Sequence, residues 1–420
     1  MLLSDLKSNL NSLNTKSKFL LIIIFLIPIS LLSGPATLEP LLLILSIVCL
    51  TLIYNKEIKI EFNLFTVLIL ILYLLAILSS SLSDYQTFSL KSSMPTIRFF
   101  LYVIIISHVL KQNSWIIYYY FIFLMSLLLF LLLDGLLQKF TGYNLFLIPD
   151  NETIITSFFG DEKKLGRYLV VILSVTSGLF LALVKKKKYL IYFLLLIFIF
   201  NFFLIVTSER VSLFNSLIVT LIFIVLIARE ISNKILFLLL IPFIVFSIFF
   251  KFSIDSFDHT LKNTFKQITG DGSKVYFFSQ QHENFAYTAF EIFKNKPIIG
   301  IGPKNFRNEC KKIIPKYKFV SNCSTHPHNN FFQILSELGI LGVIIHILFF
   351  YKLLEIVIKN LVRKTDLRQS ALIFFILPAL FYLNPLLPSG NIFNNWNMMM
   401  GIFQLPFYFY FKKKNAISKK

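Results

Sequence analysis

From residue 19 onward the chain is a succession of long apolar runs separated by short polar gaps. Within each run apolar residues occupy every side. There is neither the period of two of a half-buried strand nor the narrow stripe of a surface helix. A helix needs about 20 mostly apolar residues to cross a bilayer. Runs of that kind are read at 19–36, 38–54, 62–82, 95–110, 115–137, 166–184, 189–206, 211–228, 235–252, 329–351, 369–387 and 395–411. The pattern predicts an all-α polytopic membrane protein with about twelve transmembrane helices. It argues against a transmembrane barrel, whose strands alternate. The first two helices should form a tight pair turning through Gly34-Pro35 and Pro40. The first run follows Lys16 and Lys18, is too long for a signal peptide and has no small-residue cleavage site, so it is expected to be a membrane helix. No internal repeat and no broken helix is read in these runs.

Composition sharpens this picture. Of 420 residues, 56% are hydrophobic and 49 are Phe, which no soluble domain carries. The net charge of +20 would point to nucleic acid in a soluble protein. Here most of the excess sits in short gaps, where it reads as a topology signal, and no nucleic-acid partner is expected. Lys7, Lys16, Lys18, Lys56, Lys59, Lys111, the run 185–188, Arg229, Lys234, Lys352, Lys359, Arg363, Lys364, Arg368 and the C-terminal lysines all fall on one side of a twelve-span arrangement. The positive-inside rule assigns that side, with both termini, to the cytoplasm. The chain then divides into helices one to nine (1–252), an outer loop subdomain (253–328) and helices ten to twelve (329–420), all in one membrane unit.

The outer loop breaks the charge rule. Between 296 and 318 it carries Lys296, Lys304, Arg307, Lys311, Lys312, Lys316 and Lys318 against Glu309 alone. Either this is a solvated surface or it is an anion site. Its stretch 284–296 has the period of an amphipathic helix, which Pro297 should end, with "GIGP" as a turn. Cys310 and Cys323 flank the basic segment and could be bridged in an oxidising compartment, whereas Cys49 lies in an apolar run.

Ionisable groups inside membrane spans are costly and tend to face a cavity. Arg98, Asp134 and Arg210 each stand near the outer end of a span. Snorkelling to headgroups accounts for each arginine singly. A shared anionic ligand accounts for Arg98, Arg210 and Arg307 together, because the guanidinium fork binds phosphate oxygens bidentately. The stretch "STHPHNNFFQILSELGILG" adds a base. Pro327 suits the first helical position, which would put His328 in the first turn, where the helix terminus disfavours imidazolium. A neutral imidazole there is suited to take a proton from a hydroxyl. Asn329, Gln333, Ser336 and Glu337 follow at helical spacing as a polar stripe expected to line a cavity rather than face lipid. His326 is read as a cap or packing residue. The His-x-His pair lacks a nearby carboxylate or cysteine pair, and no metal site or other cofactor is expected.

These residues resemble a known family. "HPHNNFFQILSELGILG" is similar to the signature of the O-antigen ligase and polymerase superfamily, in which His, Asn and two glycines recur, here His328, Asn329, Gly339 and Gly342. "TSERVSL", with Glu209 where the family usually has Ser, "DGLLQKFTGYNLF", "SFFGDEKKLGRYL" and "NKPIIGIGPKNFRNEC" also resemble family segments, so that the likeness spans about 95–345. One departure is "QQHENFAYTAF", with His282 and Tyr287, where the family often carries an arginine; Lys304 or Arg307 is the candidate replacement.

The resemblance implies a ligase-like glycosyltransferase of the bacterial inner membrane, working at the periplasmic face. Its partners would be an undecaprenyl-pyrophosphate-linked glycan as donor, a lipid A-core or glycan acceptor, and membrane lipids. His328 and Arg210 would be catalytic, and Arg98, Lys304, Arg307, Asn329, Gln333 and Glu337 would bind substrate. The reaction would be inverting and metal-independent. The alternatives are a polysaccharide polymerase of the same family and a transporter of lipid-linked glycan.

Overall fold

The computed structural model describes residues 2–60, 64–149, 155–160, 162–207, 209–231, 262, 264–269, 275–276, 278–313, 323–363 and 366–417. The expected span at 235–252, and Lys316 and Lys318, lie outside the described residues. The architecture is all-helical. In chain order the helices are α1 (Leu2–Asn11), α2 (Thr15–Ser33), α3 (Pro35–Tyr54), α4 (Leu64–Ser81), α5 (Gln86–Ser93), α6 (Ile97–Gln112), α7 (Ile116–Thr141), α8 (Leu165–Leu183), α9 (Lys188–Val206), α10 (Arg210–Ile227), α11 (Gln280–Asn295), α12 (Phe306–Ile313), α13 (Asn330–Val362), α14 (Leu367–Phe374), α15 (Leu377–Tyr382), α16 (Asn395–Ile402) and α17 (Leu405–Ile417). Among the described residues nine helical segments are long and apolar enough to cross a membrane, with α5 and α6 counted as one.

The last two expected spans, 369–387 and 395–411, are each broken, contrary to the expectation of unbroken helices. Proline is the cause. Pro378 has no N–H to give the Phe374 carbonyl, and Pro406 none for Ile402. In lipid every freed backbone group needs a partner. Ser174 Oγ donates to the Phe374 carbonyl at 2.8 Å, and at the second break the Tyr102 hydroxyl donates to the carbonyl of Phe403, the residue after Ile402, at 3.0 Å. The breaks are therefore held inside the bundle, where α8 packs along α14 and α6 along α17.

Charged gaps assigned to one side do meet. Lys187 pairs with Glu230 at 2.8 Å, and Arg229 donates to the Arg363 carbonyl at 3.1 Å.

The segment 289–313 builds a small second core from Ala289, Ile292, Ile301, Phe306, Cys310 and Ile313. Helix α11 is amphipathic, burying Phe285, Thr288, Ala289 and Ile292, and starts at Gln280 because Ser279 caps it. The segment after it docks on α13. Ile301 N donates to Ser336 O (3.1 Å), Gly302 N to Glu337 O (2.9 Å) and Ile340 N to Pro297 O (2.9 Å). Those bonds run to a kink in α13 at Gly339, whose φ is 66°. A Cβ on Gly339 would stand 2.4 Å from the Ile298 carbonyl oxygen, and one on Gly300 2.3 Å from the Glu337 backbone. The signature glycine at 339 thus lets two backbones touch.

Candidate active site

Helix α13 begins at Asn330, because the Asn329 side chain accepts from Phe332 N at 3.1 Å and caps it. His328 consequently lies just before the helix, not in its first turn as the Pro327 reading expected. Its φ of 56° is left-handed, and its carbonyl accepts from Ser389 N at 2.8 Å. The ring packs 4.1 Å from that of His326, 5.3 Å from Phe285 and 6.1 Å from His282, centroid to centroid. Nε2 meets Ser324 Oγ at 3.0 Å. Burial first, then His282 and Arg167, push the His328 pKa down to about 4. Burial first, and the nearby Arg167 charge, favour the neutral imidazole, where the sequence alone points to the helix terminus.

His328 opens on a cavity of about 440 Å³. Its cationic wall is Lys163, Lys164, Arg167, Lys304 and Arg307, with Glu162, paired to Lys164, the single acid among the described residues. Its other wall is amide and hydroxyl: Thr325, Ser389, Asn391, Asn394 and Asn397. Lys304, at φ 63°, is a second left-handed non-glycine residue here. Burial, followed by Arg307, lowers its pKa, while Glu337 opposes the shift. The Arg307 guanidinium lies over the Phe88 ring at 5.8 Å, and its buried Nε has no partner. A concentration of exposed and half-buried cations around one cavity favours an anion there.

The basic cluster of the outer loop therefore divides. Lys304 and Arg307 face the cavity. Lys296 pairs with Asp84 and Lys312 with Glu309, each at 2.6 Å, as ordinary surface ion pairs. A disulfide joins Cys310 to Cys323, with 5.7 Å between the Cα atoms, and ties the helix of Arg307 to the segment of His326 and His328.

Other expected site residues take different positions. Arg98 is paired with Glu39 of α3 at 2.9 Å and does not line the cavity, since a half-buried guanidinium takes the nearest carboxylate. Arg210 donates to Thr264 Oγ1 (2.6 Å) and Gln267 Oε1 (3.0 Å). It is near enough to His282 to lower that imidazole's pKa, after burial, and so stands one ring removed from His328. The polar stripe of α13 is turned away from lipid but packs on protein instead of lining the cavity. Asn329 donates to Pro385 O at 2.9 Å. Gln333 donates to Glu337 at 2.9 Å and to Asn391 Oδ1 at 3.0 Å, and accepts from Ile392 N at 3.0 Å. Glu337 accepts from Phe306 N at 3.1 Å, which caps α12. Buried polar groups find partners, and these three brace the two loops that carry the cavity walls. Asp134 likewise accepts from Leu145 N at 3.0 Å and from the Ser157 hydroxyl.

Sequence reading passed over Lys164, Arg167 and the wall 389–397. The signals were present, in "DEKKLGRYL" and in the four asparagines of "SGNIFNNWN", three of which line the cavity. The unusual Glu209 also acquires a reason. Its carboxylate accepts from Gly166 N (2.7 Å), Arg167 N (3.2 Å) and Ser212 Oγ (2.8 Å), which fixes the first turn of α8 and the start of Arg167's side chain. Among the described residues no group of three or more His, Cys, Asp or Glu comes together as a metal site.

No curated protein matches the chain. A family model described as O-Antigen ligase matches residues 192–347, the stretch that contains Arg210, Lys304, Arg307, His328 and Glu337. That match, over a stretch that holds His328 and part of a cation-lined cavity beside helices of membrane-spanning length, supports membership of the O-antigen ligase and polymerase superfamily.

Proposed function

We propose that the protein is the ligase of this superfamily. It would move a glycan from undecaprenyl pyrophosphate to a hydroxyl of a lipid A-core acceptor, at the periplasmic face of the inner membrane, with both termini cytoplasmic. The observation that carries the reading is the placing of His328 in a cavity walled by Lys304, Arg307 and Arg167. A second, mostly apolar pocket of about 80 Å³ shares Arg167, Ser389, Gly390 and Asn397 with it. A polar anion site continuous with an apolar pocket suits a pyrophosphate bearing a polyprenyl tail. The amide wall of Asn391, Asn394 and Asn397 suits sugar hydroxyls.

In the reaction the acceptor oxygen forms a bond to the anomeric carbon as the bond from that carbon to pyrophosphate breaks. The electron pair leaves on pyrophosphate, and attack from the opposite face inverts the centre. With Nε2–H donating to Ser324, Nδ1 of His328 holds the lone pair that takes the hydroxyl proton. Lys304, Arg307 and Arg167 stabilise the charge growing on the leaving group, so no metal is required. Arg210 joins them on giving up Thr264 and Gln267 to the donor. Arg98 stays with Glu39, and Asn329, Gln333 and Glu337 act as positioning residues. A donor carrying negative charge raises the pKa of the His328 imidazole, so the base strengthens when substrate arrives.

The test is reconstitution without added metal. Purified protein receives undecaprenyl-pyrophosphate-linked glycan and lipid A-core, and joined product is followed by gel beside His328→Ala and Arg210→Ala. Product from the wild type alone supports the reading. Lengthened glycan without a lipid A conjugate identifies a polymerase. Equal product from His328→Ala removes His328 from the chemistry.

A further inference from the structure

The loop 142–149, which follows α7, has its backbone N–H groups turned inward. Gly142 N donates to Gln138 O (3.0 Å), Tyr143 N to Thr141 Oγ1 (3.3 Å), Asn144 N to Ile148 O (3.0 Å) and Leu145 N to Asp134 Oδ1 (3.0 Å). Phe146 N and Ile148 N both donate to Asn144 Oδ1 (2.9 and 2.8 Å), and Leu147 N to Asn144 O (3.0 Å). Every N–H from 142 to 148 thus has a partner within the loop or on α7, and Asp134 and Asn144, which supply three of them, are buried. A loop in water can leave such groups to solvent, whereas lipid offers them nothing. What the loop shows outward is apolar: Tyr143, Leu145, Phe146 and Leu147 are exposed, with Phe140 at the end of α7. Residues 140–149 include no charged side chain. Leu147, 78% exposed, also has φ 58°, a left-handed position that suits Gly or Asn. In water that leucine would carry both the backbone strain and the cost of an exposed apolar side chain.

Helix α7 sets the height of the loop. Its 26 residues extend about 39 Å, against about 30 Å of hydrocarbon in a bilayer. Ile122, Leu129, Leu133 and Leu137 make one exposed apolar stripe that continues into Phe140. Trp115 and Tyr118 stand at the other end, where an aromatic belt marks the opposite interface. The loop lies at the His328 end of the bundle. Gln138 accepts from Ser157 N at 2.7 Å, and the Phe146 ring meets Phe158 at 5.0 Å. The chain then runs on to Lys163, Lys164 and Arg167 of the His328 cavity.

We infer that the 140–148 loop is inserted in the membrane, with Phe140, Tyr143, Leu145, Phe146 and Leu147 set in the lipid leaflet on the His328 side. Its partner is the bilayer itself. Interfacial elements of this kind sit about 5–10 Å into the boundary between headgroups and acyl chains. A covering protein would bury the same apolar side chains, but it could also supply hydrogen-bond partners from outside. The closed set of N–H partners is what lipid alone demands. Through Ser157 and Phe158 the loop then fixes how far the basic wall of the cavity stands from the lipid surface. The inference does not depend on the glycosyl-transfer reading.

The experiment places a fluorophore on one new cysteine of the full chain, reconstituted in vesicles of phosphatidylethanolamine and phosphatidylglycerol. Cys49 is buried and Cys310 is bonded to Cys323, so the new thiol takes the label. Leu147→Cys probes the loop. Phe140→Cys, on the helix end, keeps the test open if the turn at 147 is disturbed. Phospholipid carrying a nitroxide near its headgroup should quench both labels. Iodide, present on both sides of the membrane, should quench them several-fold less than it quenches the same label on free cysteine. Iodide quenching as strong as on free cysteine would place the loop in water and overturn the inference, whatever the nitroxide does. Shielding from both quenchers would mean that protein covers the loop, and would equally end the lipid assignment.

Discussion

Gly300→Ala is the sharpest test of how the cavity is held together. Gly300 has φ 71°, and its added Cβ would stand 2.3 Å from the Glu337 carbonyl carbon and 2.4 Å from Leu338 N. Two separate costs follow. Left-handed backbone costs an alanine about 1–2 kcal/mol. Relieving the overlap also means moving the 297–302 segment off α13, against the bonds Ile301 N→Ser336 O (3.1 Å), Gly302 N→Glu337 O (2.9 Å) and Ile340 N→Pro297 O (2.9 Å). Losing two of these adds roughly 1–3 kcal/mol. The total is about 2–5 kcal/mol, spent locally on the loop that places Lys304 and Arg307. Gly142 supplies the control, because its φ is 81° but nothing lies within 4 Å of its Cβ position. Gly142→Ala should therefore show the conformational cost alone. Thermal stability of the two purified variants, read with glycan-transfer rate, makes the comparison. Gly300→Ala should lose both more stability and most of its activity. If the two alanines behave alike, the close approach of the loop to α13 does not brace the site, and the reasoning fails.

Further expectations concern the chemistry. His328→Ala should lower kcat by about 10²–10⁴ with little change in donor KM. The free-enzyme base has its pKa pushed down to about 4, so kcat/KM should be flat near neutrality and lost as pH falls through about 4. The acid limb of kcat should sit at higher pH, since the bound donor raises that pKa; coincident limbs near 6.5, the ordinary histidine value, would count against the burial argument. Arg167→Gln should raise donor KM and, by removing one of the charges that depress His328, move the kcat/KM limb to higher pH. Cys310→Ser/Cys323→Ser opens a loop of sequence separation 13, which loosens the tether between Arg307 and His328 by about 3 kcal/mol. Transfer rate, with and without reductant on the wild type, measures it: loss in both supports the tether, and full activity in both refutes it.

The sequence by itself determined the class of this protein. Apolar runs of spanning length leave backbone groups no water to bond, so helices follow from composition alone. It also supplied the chemical alphabet of the candidate site, because a basic loop and a histidine before a polar-striped helix are local facts. It could not determine which polar groups meet substrate. A stripe on a helix reports only that it faces protein or water and not lipid. The partners that make Gln333 and Glu337 braces come from residues 306, 391 and 392, distant in the chain. The same holds for Arg98, whose carboxylate partner lies 59 residues away. Arg167 is the reverse case. In the chain it is one basic residue at the start of a span, and only the packing of α8 against the 385–397 segment brings it to His328. The broken helices show the division once more. Pro378 and Pro406 mark where a helix must lose a bond, but whether the chain breaks or merely bends depends on a partner for the freed carbonyls. Ser174, the partner of the Phe374 carbonyl, is brought there by tertiary structure alone.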